Sequence, residues 1–253
     1  MWRAAVPALI SATRRYLSGV AAASAGGIRR QSVVTAPTFL AGNGITYGLG
    51  AAAGTLTALR YNRISSTVVI PDSVEHDGEI YLVTAIEAEA FARAGLTVLT
   101  IGANVTDIGH EAFFENRLTT VSLPNSLTHI GDAAFGWNRL SHLDIPASVT
   151  VLEGDAFTYN PLTSVTLHDG LTNIGDWTFA HTKLTAVAIP ASVRSIGAGE
   201  FTGSPLASVT FVSAAPSIFG AELSSFDDGV TGYYQAAGFT SPTWRGYAAV
   251  AYS

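Results

Sequence analysis

From Leu96 to Asp227 one 22-residue phrase is repeated six times without a gap, starting at Leu96, Leu118, Leu140, Leu162, Leu184 and Leu206. The copies read LTVLTIGANVTDIGHEAFFENR, LTTVSLPNSLTHIGDAAFGWNR, LSHLDIPASVTVLEGDAFTYNP, LTSVTLHDGLTNIGDWTFAHTK, LTAVAIPASVRSIGAGEFTGSP and a degraded LASVTFVSAAPSIFGAELSSFD. A unit this short cannot bury its own apolar face, so the copies must stack on one another. The expected fold is a repeat solenoid, mostly β with a short helical turn per coil. Such a fold supplies a surface, and the repeat by itself does not say what the surface meets.

Numbering each copy from its Leu shows where the core lies. Position 4 (Leu99, Val121, Leu143, Val165, Val187, Val209) and position 6 (Ile101, Leu123, Ile145, Leu167, Ile189, Phe211) are always apolar. In a strand of period two they share the inward face and position 5 points outward. Pro124, Pro146 and Pro190 at position 7 end that strand, because proline offers no N–H. A second strand is expected to carry the apolar pair at positions 10 and 13, such as Val105 with Ile108. The helical turn then leads to Phe113, Phe135, Phe157, Phe179 and Phe201 at position 18, which stacking would place in one aromatic spine. Asp132 and Asp176 are placed to cap that turn through backbone N–H groups.

The flanks differ from the repeats. Residues 1–41 are rich in Ala, Ser and Arg, and residues 1–71 hold seven Arg and no acid. Arg14 and Arg15, in TRRYLS, resemble a twin-arginine export motif. A disordered tail or an organelle transit peptide would have the same composition. Residues 42–95 read as an N-terminal β-hairpin cap with an atypical first repeat. Ile45, Tyr47 and Leu49 should face Leu56, Ala58 with Leu59, and Tyr61, and Asp77-Gly78 should turn a second hairpin inserted into the phrase. Residues 96–227 are the six repeats, and residues 228–253 read as a C-terminal β cap over the exposed edge.

The phrase with Leu at position 1, Val-x-Ile-Pro, then Val-Thr-x-Ile-Gly and Ala-Phe resembles the BspA-like leucine-rich repeat of bacterial surface proteins. The resemblance covers about residues 43–227 and includes the inserted hairpin in IPDSVEHDGEIYLVTAI. It implies a surface module, with adhesion to host proteins or other cells implied for a few members. Many members carry a Cys late in the repeat, where this chain has Asn116, Asn138 and Asn160.

Composition narrows the chemistry. No cysteine is present, so disulfides and Cys-based zinc sites are excluded. Residues 72–253 carry all 19 acids against six bases, near −13, which argues against nucleic-acid binding. No apolar run reaches the roughly 18 residues of a membrane span. The six His fall at non-equivalent places, and no recurring His–carboxylate spacing, nucleophile elbow or phosphate cradle is read. No catalytic residue, metal site or cofactor is therefore assigned, although clustered acids on a strand face would mark a β-solenoid glycan hydrolase.

Two surface strips remain. Position 5 gives an outward strand face with Thr100, Ser122, Asp144 and Thr166. Position 20, in the loop after the Phe, gives Glu115, Trp137, Tyr159 and His181, three of them consecutive rings one coil apart. Exposed aromatics are favoured in binding surfaces, so partner contact is placed at position 20 first. The expectation is an exported or cell-surface, non-enzymatic, monomeric module for a protein or glycan ligand; the alternative is an intracellular scaffold.

Overall fold

The computed structural model describes residues 38–212, and beyond them the backbone of the strands Ile218–Phe219, Thr231–Tyr234, Thr243–Trp244 and Tyr247–Ala251. Arg14 and Arg15 lie outside the described residues. The chain opens with antiparallel strands Thr38–Leu40, Ile45–Leu49 and Thr55–Tyr61. Thr38–Leu40, expected within the tail, is held because Phe39 packs on Tyr47 and stacks on His76 at 3.8 Å. The inserted hairpin is present: Ser73–His76 pairs with Glu79–Ile86, and Asp77 and Gly78 both take positive φ. Leu49 departs from expectation and is 51% exposed. It pairs with Leu56 as expected, but it is the last strand residue before the turn at the hairpin tip, while Ile45 and Tyr47 are buried.

From Thr55–Tyr61 onward the copies associate in parallel. Ile86, Ile108, Ile130, Leu152, Ile174 and Ile196 stand in register along one continuous ladder that ends on Phe219. Each step from Ile86 to Ile196 is one 22-residue copy, so register is set by the repeat length itself. The ladder occupies positions 12 and 13; the position-10 residues precede it, buried, in the turn before each strand. The first-strand ladder is interrupted. Thr67–Ile70 pairs with Val98–Ile101, His142–Asp144 with Ser164–Thr166, and Ala186–Ile189 with Ser208–Phe211, then Thr231–Tyr234. Residues 118–124 form no strand. At the far end Thr243–Trp244 and Tyr247–Ala251 pair antiparallel.

The position-18 rings form one column with centroids 5.1–6.0 Å apart from Phe91 to Phe201, and Tyr61 continues it at 5.5 Å. Each Phe in the column is at most 1% exposed, so burial of each contributes roughly 2–3 kcal/mol.

The expected helical turn before each Phe does not form, and no helix occurs among the described residues. The cause is a left-handed residue at position 16: Glu111, Ala133, Asp155 and Trp177 have φ of 50°, 53°, 52° and 59°. One such residue stops a right-handed helix. Its N–H then points at the neighbouring copy rather than back along its own turn. Glu111, Phe113 and Glu115 donate to the carbonyls of Asp132, Ala134 and Gly136 at 2.8, 2.8 and 3.0 Å. The carboxylates expected to cap the turn also act between copies. Asp176 Oδ1 accepts from Ala198 N–H at 2.7 Å, and Asp132 Oδ2 meets His110 Nδ1 at 3.0 Å.

Asn116, Asn138 and Asn160 at position 21 are buried. Asn138 Nδ2 donates to the carbonyls of Phe113 and Phe135 at 3.0 and 3.1 Å, and its Oδ1 accepts from Leu118 N–H at 3.1 Å. Asn116 and Asn160 repeat the pattern. Each asparagine thus closes its own coil and clasps the coil before it. The next two copies have Thr182 and Ser204 there, bonded to each other at 2.9 Å.

Candidate recognition surface

Because position 21 points inward, the residues on either side of it point out. Glu115, Trp137, Tyr159 and His181 at position 20 are exposed, as are Arg117, Arg139 and Lys183 at position 22. The structure brings the three rings together. Trp137 and Tyr159 stack at 4.1 Å and 22°, and Tyr159 and His181 at 4.2 Å and 19°. Trp137 remains 49% and Tyr159 42% exposed. Tyr159 is sandwiched between the other two rings and so presents its edge to solvent.

The backbone under these rings is left-handed throughout, with φ of 54°, 56°, 52° and 54° at Glu115, Trp137, Tyr159 and His181. The fifth copy has Gly203 at this place, with φ of 71°. Glycine holds that conformation without steric cost, whereas another L-residue is disfavoured by roughly 1–2 kcal/mol. Glu115 does not join the rings. Its Oε2 accepts from Arg93 Nε at 2.8 Å, and the Arg93 guanidinium lies 5.0 Å from the Phe114 ring centroid.

The strand face at position 5 is less unified. Thr100, Ser122, Asp144 and Thr166 are all exposed, and Asp144 and Thr166 are direct partners in the parallel register. Thr100 belongs to a separate two-stranded pair and Ser122 to the unpaired segment. A shallow depression of about 430 Å³ opens there, lined in part by Ser122, Asn125, Asp144 and His168. His168 Nε2 lies 2.8 Å from Asp144 Oδ1. No hydrogen bond joins Ser122 to His168 among the described residues.

Histidine–carboxylate pairs do recur, one copy apart, contrary to the expectation from linear spacing. His129 Nδ1 meets Asp107 at 2.9 Å and its Nε2 meets Glu153 at 3.1 Å; His110 meets Asp132. The sequence signal is an offset of 22 or 24 rather than of three or four. Among the described residues no group of three or more His, Asp or Glu side chains is arranged to hold a metal. Burial holds the Asp155 carboxyl above its ordinary pKa, with the Asp132 and Asp176 charges adding to the effect and a Thr158 hydrogen bond opposing it.

The BspA type leucine rich repeat region matches residues 84–214 in six copies. Among solved structures, a leucine rich cell surface protein from Faecalibacterium prausnitzii A2-165 is 26% identical, with a TM-score of 0.53 over 69% of this chain and 54% of that one. This chain therefore spans about half the length of that protein. A leucine-rich repeat protein from Bacteroides capillosus ATCC 29799 is 27% identical, with a TM-score of 0.43 over 52% of this chain and 98% of that one. The leucine rich repeat protein of T. pallidum is 21% identical, with a TM-score of 0.42 over 72% and 81% of the two chains. No curated protein matches the chain. Among the described residues no helix is long and apolar enough to cross a membrane.

Proposed function

From the premise that this chain belongs to the BspA-type leucine-rich repeat family, we propose that it is an exported or cell-surface recognition module that binds a protein or glycan ligand and performs no reaction. The parallel stack is read as a solenoid whose hydrogen-bonded edges serve assembly and whose loop column serves contact. The observation that carries this reading is the Trp137–Tyr159–His181 column, stacked at 4.1 and 4.2 Å and turned to solvent on left-handed backbone. Gly203 marks what that backbone favours when nothing else is asked of it. Large exposed rings at a strained place are consistent with selection for contact rather than stability. The relative from Faecalibacterium prausnitzii, named a cell surface protein, supports the location.

The test combines Trp137→Ala with Tyr159→Ala in the full chain, and measures ligand capture on protein and glycan arrays alongside thermal melting. Capture should fall about tenfold or more with melting unchanged. If capture is untouched, or the variant unfolds, the column is not the contact surface. Fusing residues 1–41 to a reporter tests export; an uncleaved reporter kept in the cytoplasm counts against it.

A further inference from the structure

The aromatic column lies in a strip whose charge is opposite to that of the rest of the molecule. Residues 38–212 contain seven Lys and Arg against sixteen Asp and Glu. Five of those seven bases fall on the same two positions of the coil. Arg93 is at position 20, and Arg117, Arg139 and Lys183 are at position 22. Arg63 occupies the place equivalent to position 20 in the opening cap, two residues after Tyr61 at the head of the ring column and with φ of 53°. Within residues 38–212 only one acid shares these positions, Glu115, and Arg93 neutralises it at 2.8 Å. Arg117, Arg139 and Lys183 are exposed and form no ion pair among the described residues. Many of the acids, including Asp107, Asp132, Glu153 and Asp176, lie instead at positions 12–16.

Resting on the reading of the ring column as a contact surface, we propose that its occupant is an acidic polypeptide segment, lying along Trp137 and Tyr159 with its carboxylates on Arg117, Arg139 and Lys183. Arg117, Arg139 and Lys183 thus stand in water on one strip with no carboxylate paired to them among the described residues. A carboxylate is the complement they lack, and guanidinium groups hold it in two-point contact. The rings agree with this choice. Tyr159 is sandwiched between Trp137 and His181, so it offers its edge, where the ring quadrupole is positive and favours oxygen anions. A sugar stacking through its C–H face would need a ring face, and both faces of Tyr159 are taken. Trp, Tyr and Arg side by side are also the residues that dominate protein–protein contacts. The chain's own head cannot be the occupant, because residues 1–37 contain five Arg and no acid.

The experiment uses the full chain and a fluorescein-labelled 12-residue peptide of alternating Glu and Gly, with its Gln-for-Glu counterpart as control. In low salt the acidic peptide should bind about tenfold more tightly than the control and loosen steadily as NaCl is raised. The triple variant Arg117→Gln, Arg139→Gln, Lys183→Gln should remove that preference with melting unchanged. Arg194→Gln, an exposed base at position 11, should leave it intact. If the triple variant melts early, Arg117→Gln and Lys183→Gln singly should each weaken binding about threefold. Equal binding of the two peptides overturns the proposal, as does equal loss in Arg194→Gln. Tighter binding of polygalacturonate, displacing the peptide, overturns it in favour of an acidic polysaccharide. Should Trp137→Ala with Tyr159→Ala lower ligand capture while the basic triple leaves peptide binding unchanged, the contact surface stands and only the acidic occupant falls.

Discussion

The His181 ring lies so close over Gly203 that a Cβ on the glycine would sit 2.5 Å from Nδ1. The column therefore ends on a residue that can have no side chain while His181 keeps its stack on Tyr159. Gly203→Ala should cost about 1–2 kcal/mol from the left-handed backbone alone, plus the displacement of the ring. In a His181→Ala background only the backbone cost should remain. Urea unfolding of the two single variants and the double gives the coupling directly, and a zero coupling would show that the ring moves aside freely.

The asparagine clasps should matter more than their size suggests. Asn138→Ala strands Leu118 N–H and removes one bond from each of two buried carbonyls, Phe113 and Phe135. Each buried group left unsatisfied costs about 1–3 kcal/mol, so a loss of about 3 kcal/mol is expected by chemical denaturation. Thr182→Ala should cost less, because its hydroxyl makes a 2.9 Å bond to Ser204 and only a 3.4 Å one from Leu184 N–H.

Phe135 sits at 5.1 Å from Phe113 and 5.5 Å from Phe157 in the buried column. Phe135→Ala should destabilise by about 3–5 kcal/mol. Since each coil touches only its neighbours, the weakness should be local. Hydrogen exchange should speed up first at Asp107–Ile108, His129–Ile130 and Val151–Leu152, and last in the opening hairpin. Uniform acceleration along the chain would contradict nearest-neighbour stacking.

Asp155 gives a pH dependence. Its pKa is raised in the folded state, by burial first and by Asp132 and Asp176 after it. A carboxyl with a raised folded pKa favours the fold while protonated, and that contribution disappears as pH climbs through the folded pKa. At neutral pH the group therefore works against folding. Asp155→Asn should raise the melting temperature by roughly 2 °C at pH 7, and the gain should shrink toward pH 4. A gain that stays constant with pH would trace instead to asparagine's tolerance of the left-handed conformation at φ 52°.

Much of this fold can be read from spacing. The apolar positions, the phenylalanine column and the Asp77-Gly78 hairpin follow from period and turn chemistry alone, and the ring stack at Trp137 and Tyr159 follows from counting 22 residues. The turn before each Phe reads as helical in the sequence because nothing in Gly-Asp-Ala-Ala-Phe announces a left-handed third residue. Ala133 adopts φ of 53° because its N–H is drawn to Gly154 of the next copy, a tertiary demand with no local signature. The His129 pairs were hidden for a related reason: their partners lie 22 and 24 residues away, close only after stacking. Asn116, Asn138 and Asn160 could be named as a departure from the family pattern, but their burial could not be told from a polar residue in a loop.

The clasp of each asparagine on the phenylalanine carbonyl one copy earlier gives assembly a direction. Asn116 needs Phe91 in place, Asn138 needs Phe113, and Asn160 needs Phe135, always a residue already made when synthesis reaches the asparagine. A growing chain leaving the ribosome thus carries its own template at its trailing end, and every new coil can lock on as soon as it emerges.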